Sequence, residues 1–253
     1  MSGGLKRLEQ GLGRPIANAS FAMMRGYIRS AQRRGVDMMH TARPFDHYRK
    51  VFFQGQSRSR VLQSLQGKRV IDVGCGYTPY ARDSMFRACH DAGVDFYGVD
   101  PLLGTDIRFG FRERALARAT GGSGNFSKRA PGLEKALPVG AQDMPFEDAS
   151  IDLILCSYLL FVWIEDEDLL ADILDEFLRV LRPGGLVKMY PLNEWRVKHF
   201  KSARLKRILS NFTIEQTFVH GRGDMRVMPS MLTQMTKTLG VIRHPAIPAG
   251  SIP

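Results

Sequence analysis

Cysteine is scarce in this chain. Cys75, Cys89 and Cys156 are its only three, and they show neither C-x-x-C pairing nor metal-ligand spacing. That excludes a disulfide scaffold and a cysteine-built metal site, and it suits a reducing, cytosolic compartment. No apolar run reaches the roughly 18 residues of a membrane-spanning helix. The N-terminus lacks the compact apolar core and cleavage signature of a secreted chain. Acids are rare in residues 1–34, where arginine is frequent. Such a stretch is either a transit peptide or a basic structural helix. No segment repeats internally.

What is present suits one α/β domain with an appendage. A chain of 253 residues, 44% of them hydrophobic, can bury one substantial core and is too short for two full domains. The net charge of +11 is concentrated: residues 1–70 carry 14 Lys and Arg against 3 Asp and Glu, whereas residues 71–253 carry 22 of each. A basic segment on a neutral domain attracts acidic partners through its field, whether nucleic acid, an anionic lipid surface or an acidic carrier protein. The same charge on a solvated helix face serves solubility alone.

Residues 1–13, with four glycines, read as loosely ordered. In Phe21–Arg34, the residues Phe21, Met24, Ile28 and Ala31 recur at spacings of three and four, which predicts a helix stopped by Gly35. Phe45–Phe53 and Ser57–Leu65 read as two short helices, so residues 1–67 are expected to form a basic helical cap. From Lys68 the pattern alternates. Strands are expected at Arg69–Val73, Asp95–Val99, Ile151–Ser157 and, after a turn at Pro183-Gly184-Gly185, Leu186–Tyr190, with helices at Pro79–Ala92, Asp106–Ala119 and Asp166–Leu181. Residues 68–253 therefore read as a mostly parallel sheet with helices on both faces. Phe212–Val219 reads as one more strand. Pro229–Thr238, with Met231, Leu232 and Met235, reads as an amphipathic helix whose methionines form a lid or fill core gaps.

Ligands of such sheets bind at the carboxyl ends of the strands. The loop after the first strand, in VIDVGCGYTPY (Val70–Tyr80), holds Gly74 and Gly76. Glycines there let the backbone approach a ligand closely, and a helix beginning at Pro79 would add a partial positive charge. Thr78 stands where a pyrophosphate turn needs a third glycine, so NAD fits less well than a ligand without phosphates. Asp100 ends the second strand in FYGVD, where a carboxylate can accept both hydroxyls of a ribose. Asp143, in AQDMPF, is placed to reach an adenine amine while Met144 packs on the ring.

IDVGCG, YGVD, QDMPFEDASIDLILCSYLL and EFLRVLRPGG, in this order and spacing, resemble the small-molecule group of class I S-adenosylmethionine-dependent methyltransferases, over roughly residues 68–190. The resemblance implies a Rossmann-like, mostly parallel seven-stranded sheet with adenosylmethionine lying across the strand ends. It places Asp72, Gly74, Cys75 and Gly76 around the methionine end and Asp100 with Pro101 at the ribose. Asp143 and Met144 go to the adenine, and Ser157 to the strand edge near the sulfonium. No Asn-Pro-Pro-Tyr follows the fourth strand, which sets the chain apart from the base-flipping and amide-methylating branches. The chain ends soon after Val241-Ile242, which leaves little room for the family's final hairpin.

Methyl transfer depends mainly on alignment and exclusion of water. A carboxylate acceptor needs no base, whereas a hydroxyl or amine does. His40 and His47, seven apart and able to share one helix face, are base candidates together with Tyr158; His199 and His220 lie further along the chain. Tyr48, Tyr158 and Trp163 are candidate pocket walls. The acids Glu165–Asp168 read as helix-start charges, and no metal is expected. The expected activity is transfer of a methyl group from adenosylmethionine to a small-molecule or acyl-type acceptor, anionic or carrier-bound, by O-methylation of a carboxylate or hydroxyl. Two alternatives stand beside it: an RNA or DNA methyltransferase using the basic surfaces, and a non-catalytic interaction module. Peripheral membrane contact also suits the basic segment.

Overall fold

The computed structural model describes residues 2–35, 40–192, 199–220 and 227–238. The strands are β1 (Arg69–Val73), β2 (Asp95–Val99), β3 (Ala136–Leu137), β4 (Ile151–Ser157), β5 (Leu181–Tyr190), β6 (Phe212–Val219) and β7 (Ser230–Lys237). They form one seven-stranded sheet in the order β3-β2-β1-β4-β5-β7-β6. The first five run parallel, and β7 lies antiparallel between β5 and β6. The helices are α1 (Ser2–Gln32), α2 (Phe45–Phe52), α3 (Arg58–Leu65), α4 (Met85–Asp91), α5 (Phe111–Ala119), α6 (Glu167–Val180) and α7 (Ala203–Leu209).

The central strands are apolar on both faces, because successive side chains point to opposite sides and each side is covered by helices. On β4, Ile154 and Cys156 join a core with Leu170, Leu174 and Phe177 of α6 and Leu205 of α7. Leu153 and Leu155 face the other way, into a core built by Phe45 and Phe52 of α2, Val61 and Leu65 of α3, and Met85 and Phe86 of α4. The short helices α2 and α3 thus share the hydrophobic core of the sheet. The EFLRVLRPGG segment anchors the loop after β3: Met144 N donates to Glu176 Oε1 at 2.8 Å, and Arg179 donates to the carbonyls of Met144 and Phe146.

Four expectations need correction. The glycine-containing N-terminus continues α1 as helix from Ser2. The helix expected at Pro79–Ala92 is a single 3-10 turn at Thr78–Tyr80, followed by α4 from Met85, whose start is capped by Ser84 accepting from Arg87 N. Pro183-Gly184-Gly185 lies within β5, at an irregularity where Ile151 pairs with Leu181 and Leu153 with Leu186. Finally, residues 230–237 are a strand, so the terminal hairpin is present as β6 and β7. Met231, Leu232 and Met235 carry spacings that satisfy a helix and a doubly buried strand alike; backbone hydrogen bonding to β5 and β6 on both edges decides for the strand.

Met235 is fully buried between these strands. Met235→Ala is expected to cost about 2–5 kcal/mol in denaturant unfolding, as core truncations do. A methionine in a mobile lid would cost close to nothing.

Candidate active site

The alternation of β1 and β4 sends Asp72 and Ser157 to the α2 side of the sheet, next to each other at the carboxyl ends of neighbouring strands. Two consecutive residues of α2 meet them. The Tyr48 hydroxyl donates to Asp72 Oδ2 at 2.5 Å, and His47 Nε2 lies 3.1 Å from Ser157 Oγ. The second oxygen of Asp72, Oδ1, is buried and has no protein partner. Burial pushes the Asp72 carboxyl up to about 7; the Tyr48 hydrogen bond opposes the shift and the charge of Asp100 adds to it. Burial, with the nearby charges of Arg43 and Lys50, holds His47 well below its ordinary value, so its imidazole is neutral at pH 7. Burial likewise keeps Tyr48 protonated as a donor.

Gly74 and Gly76 both adopt positive φ, +70° and +54°. A Cβ on Gly74 would come within 2.6 Å of the Leu159 side chain, and one on Gly76 within 2.6 Å of the Thr41 carbonyl, which is backbone and has little freedom to move. Four N–H groups of this turn are spent inside the protein: Gly74 on Val99 O, Tyr77 on Thr41 O, Thr78 on Cys75 O, and Gly76 on Asp100 Oδ2. No helix begins here, as α4 starts only at Met85. The helix-start charge expected at Pro79 is therefore absent, and the turn offers a pyrophosphate no cradle of donors. Asp100 is buried and also accepts from Leu102 N at 2.9 Å; each of its oxygens keeps a lone pair for a further donor. A carboxylate oxygen without a partner, beside a phosphate-free turn and a second buried acid, fits adenosylmethionine, which brings an ammonium and a ribose and has no phosphate.

A cavity of about 220 Å³ opens against this turn, lined by Gly74, Cys75, Gly76, Tyr48 and Ser157 together with Tyr158 and Trp163. Its other walls carry no sequence motif. Met24, Tyr27 and Ile28 come from α1, Thr41 and Arg43 from the segment before α2, and Leu116 and Thr120 from α5. The stripe containing Met24 and Ile28 is legible as a helix face, but what it covers is not. Arg25, buried on the same helix, donates to the Val162 carbonyl and pairs with Glu165, which ties α1 to the loop after β4. In that loop Tyr158 has φ +58°, an unfavourable conformation for a bulky residue, maintained while its N–H donates to Tyr190 O at 2.6 Å. The Arg43 guanidinium sits 4.3 Å from the centre of the Tyr158 ring.

His40 also lines the cavity and lies 3.8 Å from Asp100; it precedes α2, whereas His47 is inside α2, so the two do not share a helix face. The remaining candidates lie elsewhere. His199 and His220 are exposed. Pro101 is exposed at the start of a 3-10 turn, and Asp143 is exposed after β3. The packing role expected for Met144 does not hold: its side chain is in the core, and Glu176 and Arg179 take up its N–H and carbonyl. Of the acids at 165–168, Glu165 pairs with Arg25, Asp166 caps α6, and Glu167 accepts from Lys201 N and Ser202 N. Burial raises the Cys75 thiol well above its ordinary value, which removes it as a nucleophile. Among the described residues, no cluster of three or more His, Cys, Asp or Glu could hold a metal ion, and no helix is long and apolar enough to cross a membrane.

Residues 71–189 match the family described as Methyltransferase domain. No curated protein matches the chain. Solved structures similar to it include a SAM-dependent methyltransferase from Methanosarcina mazei, at TM-score 0.40 and 17% identity over 71% of this chain and 97% of that one. The N-methyltransferase NodS from Bradyrhizobium japonicum has a TM-score of 0.42 and 13% identity over 76% and 99%. Geranyl diphosphate C-methyltransferase from Streptomyces coelicolor, solved with S-adenosyl-L-homocysteine, has a TM-score of 0.38 and 13% identity over 72% and 78%.

The Asp72 carboxyl titrates near 7 when folded, against an ordinary 3.8. Between those values the folded protein retains a proton that the unfolded chain has lost, so stability falls as pH rises through the window and levels off above it. Denaturant unfolding of the ligand-free protein should show a loss of about 2–3 kcal/mol from pH 5 to pH 8. Asp72→Asn should remove that slope.

Proposed function

We propose, from the match of residues 71–189 to the methyltransferase domain family, that the protein is an S-adenosylmethionine-dependent methyltransferase acting on an oxygen of a small, largely apolar acceptor, in the first place a carboxylate. The observation that carries this reading is the cavity itself. It adjoins the Gly74–Gly76 turn, is walled by Met24, Ile28, Leu116 and Trp163, and holds one cation, Arg43, over Tyr158. A space behind a covering helix, part of which the methionine end of the cofactor would fill, suits a small acid or an acyl chain end better than a folded macromolecule. In this reading residues 1–67 are the cap that closes the site.

When bound, the cofactor supplies a methyl group activated by its sulfonium. The chain's own residues align and dehydrate. In this assignment Asp72 Oδ1 receives the ammonium of the methionine end, the backbone of Gly74, Cys75 and Gly76 lies against it, and Asp100 accepts the ribose hydroxyls. Arg43 pairs with the acceptor carboxylate, which is already ionised and needs no base. A hydroxyl acceptor is the second reading, and one contact favours it: Ser157 Oγ at the cavity wall touches the neutral His47, which can take up a proton passed through the serine. Three buried free thiols suit a reducing, cytosolic setting.

Calorimetry with adenosylmethionine tests the cofactor roles; Asp100→Ala should weaken binding at least about tenfold, the worth of a charge-assisted hydrogen bond. Equal binding by wild type and variant would remove Asp100 from the site. Labelled-methyl transfer to fractionated cell extract, with the product identified by mass, then gives the acceptor. For a carboxylate acceptor, Arg43→Gln should lower kcat/KM by about 10–100-fold through KM while His47→Gln leaves kcat near wild type. For a hydroxyl acceptor, His47→Gln should lower kcat by about 100-fold or more.

A further inference from the structure

Four large apolar side chains stand out in solvent among the described residues: Ile16 at 51% exposure, Met23 at 73%, Tyr27 at 57% and Phe111 at 85%. All four lie on α1 and α5, the two helices that contribute Met24, Ile28 and Leu116 to the cavity wall. On α1 the spacing of seven and four residues puts Ile16, Met23 and Tyr27 on one stripe. It runs beside the buried stripe of Ala17, Phe21, Ile28 and Ala31 that faces the protein. The helix therefore has one apolar face for the core and a second turned outward. Tyr27 belongs to the outward face and also lines the cavity, so the outward face borders the mouth of the site.

The charge along this part of α1 has one sign. No Asp or Glu occurs between Glu9 and Asp37, while Arg29, Arg33 and Arg34 are exposed on the last turns of α1 and just beyond. Around Phe111, Arg112 and Arg118 are exposed, Arg108 is exposed and paired with the exposed Asp106 at 3.2 Å, and Glu113 is turned back to accept from Gly110 N. We propose that the outward face of α1, with Phe111, is a docking surface for an anionic lipid bilayer: its apolar side chains enter the headgroup boundary and its arginines meet the acidic headgroups. Neither signal holds a protein at a membrane alone, whereas an apolar stripe together with several basic residues does. Nucleic acid would use the arginines and leave Ile16, Met23 and Phe111 in water. The docking does not depend on which acceptor is methylated; if the acceptor reading above holds, the cavity mouth would face a bilayer from which an amphiphile could enter.

Flotation of the full chain with phosphatidylcholine vesicles, with and without about one third phosphatidylglycerol, tests this. Binding is expected to the anionic vesicles, to weaken with salt, and to fall at least about tenfold in the triple variant Ile16→Ser, Met23→Ser, Phe111→Ser. Replacing Arg29, Arg33 and Arg34 with Gln should weaken it further, about fivefold for each charge that reaches the surface. The serine variant keeps its adenosylmethionine affinity and far-UV spectrum, because none of its three sites lines the cavity. No binding to anionic vesicles would overturn the proposal, as would undiminished binding by the serine variant. Concentration-dependent dimerisation abolished by the same variant would assign the stripe to a second copy of the chain. Binding to an RNA or DNA duplex without vesicle binding would assign the basic surface to nucleic acid.

Discussion

A carboxylate on a central, doubly covered strand has no access to water, and the protein must provide its partners. For Asp72 that partner is the Tyr48 hydroxyl. The hydrogen bond requires α2 to lie across the ends of β1 and β4, and His47, the preceding residue, then meets Ser157. The segment leading into α2 passes over Gly76, close enough that its Thr41 carbonyl leaves no room for a Cβ there. Much of the site geometry follows from this contact: a turn with most of its donors committed inside the protein, and one buried carboxylate oxygen with no protein partner. A buried acid with half its capacity unmatched is costly, which is the kind of expense a binding site carries.

The enclosure above the turn depends on a second set of buried polar contacts. Arg25 ties α1 to the loop after β4 through Val162 and Glu165, and the same loop holds Tyr158 in a left-handed conformation under Arg43. Under the proposed function these contacts serve alignment and the exclusion of water, from which methyl transfer gains most. The same tether leaves a second apolar face of α1 turned outward beside the cavity mouth. The helix that walls the cavity thus also carries three of the four exposed large apolar side chains among the described residues.

Some elements were legible from the residues alone because local pattern and tertiary demand agree in them. The β-branched runs of β1 and β4, the glycines after β1 and the amphipathic spacing of α6 each have one low-energy reading. Elsewhere two readings compete. Met231, Leu232 and Met235 fit a helix stripe as well as a buried strand, and only pairing with β5 and β6 separates them. Pro79 is a suitable first residue for an α-helix, yet the chain makes a single 3-10 turn there because Ala81 turns extended and bridges Phe126, and Arg82 N donates to Asn125 O. Met144 follows an acid in a loop that suits adenine, but Glu176 and Arg179, more than 30 residues later, draw its backbone against α6 and its side chain into the core.

The sequence by itself determined the alternating α/β domain, the phosphate-free turn after β1, the acid at the end of β2 and the basic excess at the N-terminus. These are properties of composition, spacing and period, and they act over a few residues. Only the tertiary structure decided that His47 and Tyr48 reach Ser157 and Asp72, that Arg43 enters the cavity, and that α1 covers the site while turning Ile16, Met23 and Tyr27 to solvent. Those pairings join residues far apart in the chain, as Arg25 and Val162 are at 137 positions. They exist because buried polar groups must find partners wherever the packed core places them.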